Sequence, residues 1–343
     1  MTRSLEQQPR RTRVRATRFL LAVVGAGLGF GACELWARGR YGTPLPERLP
    51  LLEVQANAWR GWEMVPASDH YTYLERVRVN SIGLRGDDLA PKRTDELRIL
   101  CLGDSLVYGQ GVGEDDTLPA ALEEALPPET RPVVINGGLR AYATHQELGL
   151  FEELGERLAA DVVLLCWYWN DVDERDIEST NAKLEDSGPI VFDLGHPWST
   201  GLRISWKLKQ LLRRSALLNH LHEQLRTGRW EEWSEAYRAA GIERLDGYLE
   251  RFQALCAEQG AELRVVLMPD PGGVMGGAVS TDLSNRGAQL FEERGLSFLD
   301  LRPTMAAWMA EHGSAPILPF DGHFNREGNR LLAGAIADWL RPE

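Results

Sequence analysis

The pattern of apolar and polar positions changes at residue 97. From there on, short apolar runs alternate with segments of helical periodicity. The runs that predict strands are residues 97–102, 132–136, 161–167, 263–268 and 296–300, and the helical segments are residues 117–126, 144–160, 230–259, 282–295 and 327–340. Near-continuous apolar strands that are each followed by a helix form parallel sheets buried on both faces. Residues 96–343 are therefore predicted to form a doubly wound, three-layer α/β/α domain.

Two segments fall outside this alternation. Residues 41–95 begin with a linker, 42–53, that is rich in proline and charge, and continue as an extension without a long period. We expect this extension to be irregular and to pack on the main domain. Residues 172–229 carry proline, glycine and charge, followed by an apolar and basic helix at 206–225. We interpret them as an insertion on the active-site side, acting as a lid or a wall for the substrate.

Residues 1–40 have the layout of an export signal. Six arginines lie within residues 1–18, and an uncharged apolar stretch follows at 19–32. Three interpretations remain open: an uncleaved signal anchor, which we favour, a cleaved signal peptide, or a lipid anchor at Cys33. Because clustered arginine stays in the cytoplasm, each interpretation places the body of the chain on the extracytoplasmic side of the membrane.

Charge and cysteine content exclude some partners. The chain of 343 residues has a net charge of −12, and its acidic body repels phosphate backbones, so nucleic acid is not expected as a partner. The four cysteines are Cys33, Cys101, Cys166 and Cys256, and none has the spacing of a metal site. Cys101 and Cys166 lie inside predicted strands and are interpreted as buried; a disulfide stays open.

Candidate chemistry follows the strand ends, where ligands bind in folds of this class. The first strand is followed by Gly-Asp-Ser-Leu, which presents Ser105 at that edge. The third ends in Trp-Tyr-Trp-Asn-Asp, where the side chain of Asn170 can donate to a developing oxyanion or cap the following turn.

A base and an acid stand near the C-terminus. A serine nucleophile needs a base, and the base needs an orienting carboxylate. Of the seven histidines, His323 alone lies beside an acid at the end of the last βα unit. Residues two apart in an extended loop face the same side, so Asp321 can reach His323. The pattern thus favours Ser105, His323 and Asp321 as one catalytic set.

These blocks resemble the SGNH/GDSL hydrolases, and more narrowly their membrane-anchored bacterial group. The resemblance begins with VNSIGLRG at 79–86 and continues through RILCLGDSLVYGQGVGEDDTLPAALEEAL at 98–126, VVINGGLRAYATHQEL at 133–148, LLCWYWNDV at 164–172 and FDGHFNREGNRLLAGAIADWL at 320–340. It implies a flavodoxin-like sheet of five parallel strands and the hydrolysis of acyl esters, without a metal or an organic cofactor.

The resemblance also implies roles for individual residues. Ser105 attacks the carbonyl carbon, His323 carries the proton and Asp321 holds the imidazole. The oxyanion is bound by the Ser105 backbone N–H, the Asn170 side chain and a backbone N–H of Ala141 or Gly138.

Three positions depart from the family pattern. Ala141 stands where glycine is usual, and alanine tolerates fewer dihedral angles. Tyr168 replaces another glycine and would narrow the pocket. Phe320 occupies the position where many members carry the acid.

Three functions are compatible with these residues. The first is an exported serine esterase that acts on a small-molecule or glycan acyl ester, such as an O-acetyl group on a carbohydrate, or on a lipid ester. The second is an O-acyltransferase for a cell-envelope glycan or lipid, which would use the same acyl-serine. The third is a non-catalytic binding module on the same scaffold, which the three departures from the family pattern suggest. The residues alone do not fix the acyl group or the alcohol.

Overall fold

The computed structural model describes residues 8–174, 184, 190–191, 206–225, 233–270 and 277–341. The chain divides into two compact units. One comprises Met1–Pro46 and Gly201–Arg226, and the other comprises Glu47–Thr200 and Thr227–Glu343.

The elements are numbered along the chain. The strands are β1 (Glu53–Asn57), β2 (Gly61–Met64), β3 (Asp69–Thr72), β4 (Glu75–Arg78), β5 (Arg98–Gly103), β6 (Val133–Gly138), β7 (Val162–Trp167), β8 (Ile190–Val191), β9 (Glu262–Leu267) and β10 (Phe298–Asp300). The α-helices are α1 (Gln8–Tyr41), α2 (Ser105–Tyr108), α3 (Leu118–Ala125), α4 (Thr144–Leu158), α5 (Trp206–Arg213), α6 (Ala216–Leu225), α7 (Glu235–Gln259), α8 (Gly277–Glu293), α9 (Arg302–His312) and α10 (Arg326–Leu340).

A five-stranded parallel sheet forms the centre of the larger unit. Its strand order is β10-β9-β7-β5-β6, and every residue of β5 and β7 is buried. Helices α3 and α10 pack against each other, as do α4, α7 and α8, and the helices cover the sheet. The predicted three-layer α/β fold and the five predicted strand positions are confirmed. Because β5 lies between β6 and β7, the loops after these three strands meet at one edge of the sheet.

The extension is more regular than its sequence suggests. Strands β1 and β2 form an antiparallel hairpin that also pairs with β8, and β3 and β4 form a second hairpin. The prediction of an irregular extension is therefore wrong, because strands of four or five residues are too short to show a period. Trp62, Met64 and Val77 bury their side chains in the same core as the large sheet.

Helix ends are set by caps that periodicity does not reveal. Helix α7 begins at Glu235 because the Ser234 hydroxyl accepts the Tyr237 N–H at 3.2 Å; residues 230–232 of the predicted helix lie outside the described residues. The helix predicted at 206–225 is two helices, α5 and α6, with the Ser215 hydroxyl capping the second by accepting the Leu218 N–H at 3.2 Å. Helix α8 starts five residues earlier than predicted, and α9 was not predicted.

The smaller unit joins α1 to α5 and α6. Helix α1 contains a segment, Thr17–Tyr41, that is long and apolar enough to cross a membrane. Near its end, the Glu34 carboxylate accepts the backbone N–H groups of Ala216 and Leu217, each at 3.0 Å, and the Ser215 hydroxyl at 2.7 Å. The ring of Tyr41 stacks on His220, with centroids 4.2 Å apart. The end of α1 is therefore fixed to the start of α6.

Replacing either of two helical glycines by alanine is expected to change stability, in opposite directions. In a free helix, glycine to alanine stabilises by about 1 kcal/mol. At Gly149 in α4, however, an added Cβ would lie 2.4 Å from the Trp59 carbonyl oxygen, whereas at Gly334 in α10 it would meet nothing within 4 Å. We expect Gly149→Ala to lower the free energy of unfolding by about 1–3 kcal/mol, and Gly334→Ala to raise it by up to about 1 kcal/mol.

Chemical denaturation of the two variants and the wild type measures both effects. Equal changes for Gly149→Ala and Gly334→Ala would show that the extension does not press on α4 at Trp59.

Candidate active site

Ser105 stands at the start of a short helix, α2, directly after β5. Asp104 caps this helix, since its carboxylate accepts the Leu106 N–H at 2.8 Å. Two glycines allow α2 to lie this close to the sheet. A Cβ on Gly103 would come within 2.4 Å of the Val107 side chain, and one on Gly138 within 2.2 Å of the Tyr108 nitrogen. The strand ends thus need glycine at both positions.

The structure brings Ser105, His323 and Asp321 into one hydrogen-bonded chain. His323 Nε2 lies 2.7 Å from Ser105 Oγ, and His323 Nδ1 contacts an Asp321 carboxylate oxygen. The same oxygen accepts the His323 backbone N–H at 3.2 Å. Because a carboxylate only accepts, the proton of a neutral imidazole stays on Nδ1, which leaves Nε2 free to accept the Ser105 proton.

The loop that carries Asp321 and His323 is held at both ends. The Leu318 N–H donates to the His323 carbonyl at 2.8 Å. Directly after the histidine, Asn325 caps α10 by accepting the Gly328 N–H at 3.0 Å. The imidazole is therefore placed by a short loop between two fixed points.

Tyr73 adds a fourth member to this chain. Its hydroxyl donates to the other oxygen of the Asp321 carboxylate. Tyr73 lies at the turn between β3 and β4, in the left-handed region with a φ of 54°. The extension therefore contributes directly to the site.

The charges around the imidazole set its protonation. Burial disfavours the charged form of His323, but the carboxylate of Asp321 outweighs burial and raises the pKa of His323 above its usual value. Burial also acts against the ionised form of Asp321, yet the charge of His323 and hydrogen bonds from His323 and Tyr73 hold the pKa of Asp321 well below its usual range. Asp321 is therefore ionised, and His323 is more basic than an ordinary histidine.

The side chain of Asn170 does not cap the turn on which it lies. The turn Trp169–Val172 follows β7, and the carboxylate of Asp171 accepts the Tyr168 N–H at 2.6 Å. The amide oxygen of Asn170 is buried and has no hydrogen-bond partner among the described residues. Of the two interpretations of Asn170, capping is thus not observed in the described part of the chain.

A tight turn after β6 separates the two candidate backbone donors. The Gly138 N–H already donates to the Asn136 side chain at 3.0 Å. The turn runs from Leu139 to Tyr142, whose N–H donates to the Leu139 carbonyl at 3.1 Å. Ala141 is its third residue and has a φ of 59°, as a type II turn requires at that position. The Ala141 N–H takes no part in the turn's own hydrogen bond.

Three buried carboxyl groups, one of them on Asp104 next to Ser105, act on one another. Asp104, Glu147 and Asp171 are each at most 2% exposed, and neither oxygen of Glu147 has a hydrogen-bond partner within the described ranges. Burial raises the pKa of all three, and their mutual repulsion adds to the effect for Glu147 and Asp171. In the described residues, no group of three or more histidine, cysteine or acidic side chains could hold a metal.

The remaining sequence candidates take the following places. Tyr168 is 2% exposed, and burial, followed by the charge of Asp270, raises its pKa well above the usual value. The side chain of Tyr168 is therefore buried within reach of the Asp270 carboxylate. Cys101, Cys166 and Cys256 are buried free thiols, as expected for the first two, and Cys33 is exposed and free.

Sequence reasoning missed two residues near the serine. Tyr73 is far from the motifs in sequence, and its only signal is its place just before β4 in the extension. Arg140 lies inside the second block, but no pattern distinguishes it from a surface arginine. Its positive charge lowers the pKa of His323, so it lies within electrostatic reach of the imidazole.

No family model and no curated protein matches this sequence. Solved structures do match. A member of the lipolytic protein G-D-S-L family from Veillonella parvula is 13% identical, with 71% of this chain and 99% of that chain covered and a TM-score of 0.43. The acetyl xylan esterase AlAXEase is 12% identical, with 71% and 100% covered and a TM-score of 0.44. The psychrotrophic esterase EstA from Pseudoalteromonas sp. is 13% identical, with 71% and 99% covered and a TM-score of 0.40.

The pKa of His323 predicts how the reactivity of Ser105 depends on pH. The imidazole accepts the Ser105 proton only when it is neutral, which is the form that dominates above its pKa. Because this pKa is raised, the rate of Ser105 phosphonylation should rise with pH, with a midpoint above about 6.5. Asp321→Asn removes the charge that raises the pKa, so its midpoint should move to lower pH. A wild-type midpoint below 6.5, or one that Asp321→Asn leaves in place, would contradict the assignment.

The Tyr73 hydroxyl predicts a second effect. A hydrogen bond to a charged group contributes about 1.5–3 kcal/mol, and here it orients the carboxylate that holds the imidazole. Tyr73→Phe should slow phosphonylation of Ser105 about tenfold or more. Tyr71→Phe on the same hairpin is the control, since the Tyr71 ring stacks under Arg48 at 4.3 Å and keeps that contact without its hydroxyl. Equal phosphonylation rates in the two variants would show that Tyr73 does not contribute to the reactivity of Ser105.

Proposed function

We propose that the protein is a serine esterase that hydrolyses acyl esters through an acyl-serine intermediate. The observation that carries this proposal is the continuous hydrogen-bonded chain of Ser105, His323 and Asp321, with 2.7 Å between Ser105 Oγ and His323 Nε2. A binding module would not need a base in contact with the serine, so this geometry counts against the non-catalytic alternative.

The steps follow from the protonation of the chain. Ser105 Oγ attacks the ester carbonyl carbon while its proton passes to His323 Nε2, and Asp321 stabilises the imidazolium that forms. The same proton then goes to the leaving alcohol as its bond to the carbonyl carbon breaks. A water molecule then attacks the acyl carbon while His323 takes its proton. His323 returns this proton to Ser105 Oγ as the bond between Oγ and the acyl carbon breaks, and the carboxylic acid leaves. The raised pKa of His323 makes it a stronger base for both halves of the reaction.

Three donors would bind the oxyanion: the backbone N–H groups of Ser105 and Ala141 and the side chain of Asn170. Support for Ala141 over Gly138 comes from Asn136, which already accepts the Gly138 N–H at 3.0 Å. Support for Asn170 comes from its position after β7, the strand beside β5, and from an amide that does not cap its own turn. In this scheme, the ring of Tyr168 limits the depth of the acyl pocket and favours short acyl groups such as acetyl.

The esterase would act outside the cytoplasm, held by α1 as a retained anchor. The apolar part of α1 is exposed, with Phe19, Leu28 and Leu35 each more than 70% accessible. Its arginine-rich start would stay in the cytoplasm. Glu34 accepts two backbone N–H groups at the start of α6, and removal of the whole segment would abolish these contacts, which supports retention.

Labelling with a fluorophosphonate tests the proposal. The purified full chain in detergent should be labelled at one residue, identified as Ser105 by peptide mass spectrometry, and it should hydrolyse p-nitrophenyl acetate. Ser105→Ala should lose both activities, and His323→Ala should lower both by at least about a thousandfold. Ser81→Ala, an exposed serine in the extension, is the control and should behave as the wild type. A folded wild type that is neither labelled nor active would overturn the proposal.

A further inference from the structure

The turn after β6 holds two residues at the edge of the candidate site. Its first residue, Leu139, is buried, and its N–H donates to the Gly103 carbonyl at 3.2 Å. Its last residue, Tyr142, is also buried, and its hydroxyl donates to the Trp62 carbonyl at 2.6 Å. Because both ends are fixed, the central residues, Arg140 and Ala141, have a defined position. Arg140 is therefore one residue from the proposed oxyanion donor.

The guanidinium of Arg140 differs from those of the three buried arginines in its partners. Arg60, Arg85 and Arg98 each have a carboxylate within 3.1 Å, as expected for charges removed from water. Arg140 is half-buried, its Nε is fully buried, and in the described ranges that nitrogen has no hydrogen-bond partner and the guanidinium has no ion-pair partner. A positive charge is thus held in this turn without a counter-ion among the described residues.

The charge of Arg140 acts toward the reacting groups. Burial is the largest influence at His70, whose pKa is lowered, and at Tyr108, whose pKa is raised, and these side chains are hydrogen-bonded to each other at 2.6 Å. At both groups, and at His323, the charge of Arg140 acts to lower the pKa. These residues lie on three different elements: the C-terminal loop, β3 and α2. Arg140 therefore lies within electrostatic reach of all three elements, in the turn whose first residue, Leu139, is hydrogen-bonded to Gly103 two residues before Ser105.

We propose that Arg140 binds an anionic group of the substrate, so that the preferred substrates are esters that carry a carboxylate or phosphate near the scissile bond. A guanidinium matches such groups because it donates two parallel N–H bonds to two oxygens. Since residues 41–343 carry a net charge of −18, an anionic substrate is repelled by the body as a whole, and a local cation is needed to hold it. The inference rests on the proposed esterase function and names its substrate class.

Matched ester pairs test the inference. The first pair is p-nitrophenyl hydrogen succinate and its neutral methyl ester, with the charge on the acyl side. The second is 4-acetoxybenzoate and its methyl ester, with the charge on the alcohol side. In the wild type, kcat/KM should favour the anionic member of at least one pair. Arg140→Gln should lower that anionic-to-neutral ratio by about ten- to a hundredfold, and Arg140→Lys should retain part of it.

The control is Arg330→Gln, which removes the same charge from an exposed position on α10 and should leave the ratio unchanged. Rates are compared at a pH above the midpoint of the His323 titration, because loss of Arg140 also raises the pKa of that base. A ratio that Arg140→Gln leaves unchanged in both pairs overturns the inference.

Binding without turnover separates this inference from the proposed function. Calorimetry on Ser105→Ala should detect succinate binding that the Ser105→Ala/Arg140→Gln variant loses. If the wild type is neither labelled nor active but this Arg140-dependent binding is present, the esterase function fails and the anion site stands. If esters are hydrolysed but neither the ratio nor succinate binding depends on Arg140, the proposed anion site is refuted and the esterase function stands.

Discussion

A carboxylate removed from water must be given hydrogen-bond donors, and in this protein the donors to Asp321 join three parts of the chain. The imidazole and backbone N–H of His323 come from the C-terminal loop, and the hydroxyl of Tyr73 comes from the extension. Because the imidazole also contacts Ser105 after β5, the requirements of one buried charge fix the relative positions of the hairpin, Ser105 and the last loop. The extension is thus part of the site and of its stability.

The turn after β6 also depends on which backbone N–H groups have hydrogen-bond partners. An alanine in the left-handed region costs about 1–2 kcal/mol relative to its preferred conformations, so Ala141 keeps a φ of 59° only because the surrounding contacts impose it. The Asn136 side chain takes the Gly138 N–H, and the Leu139 carbonyl takes the Tyr142 N–H. Within the described residues, the backbone N–H groups of Arg140 and Ala141 are the donors of the turn that keep no partner, and a free N–H is the property that an oxyanion site requires.

The sheet was predictable because a strand buried on both faces consists of consecutive apolar residues, as in residues 161–167. The serine and histidine were predictable because the strand ends of such a sheet meet at one edge. What could not be predicted depends on contacts between distant segments. The hairpins of the extension are too short to show a period, and helix α7 starts where Ser234 caps it rather than where its apolar pattern begins. Tyr73 and Arg140 matter only because of what folding places beside them.

The two charges that act on the imidazole also connect binding to basicity. Asp321 raises the pKa of His323 and Arg140 lowers it. An anion bound to Arg140 would cancel much of the positive field, so the pKa of His323 would rise when such a ligand is in place. At a pH above that pKa the imidazole stays neutral, and it becomes a stronger base for the Ser105 proton. In the proposed anion site, Arg140 would therefore affect more than affinity: binding of an anionic ester would make His323 a stronger base than it is without the ligand.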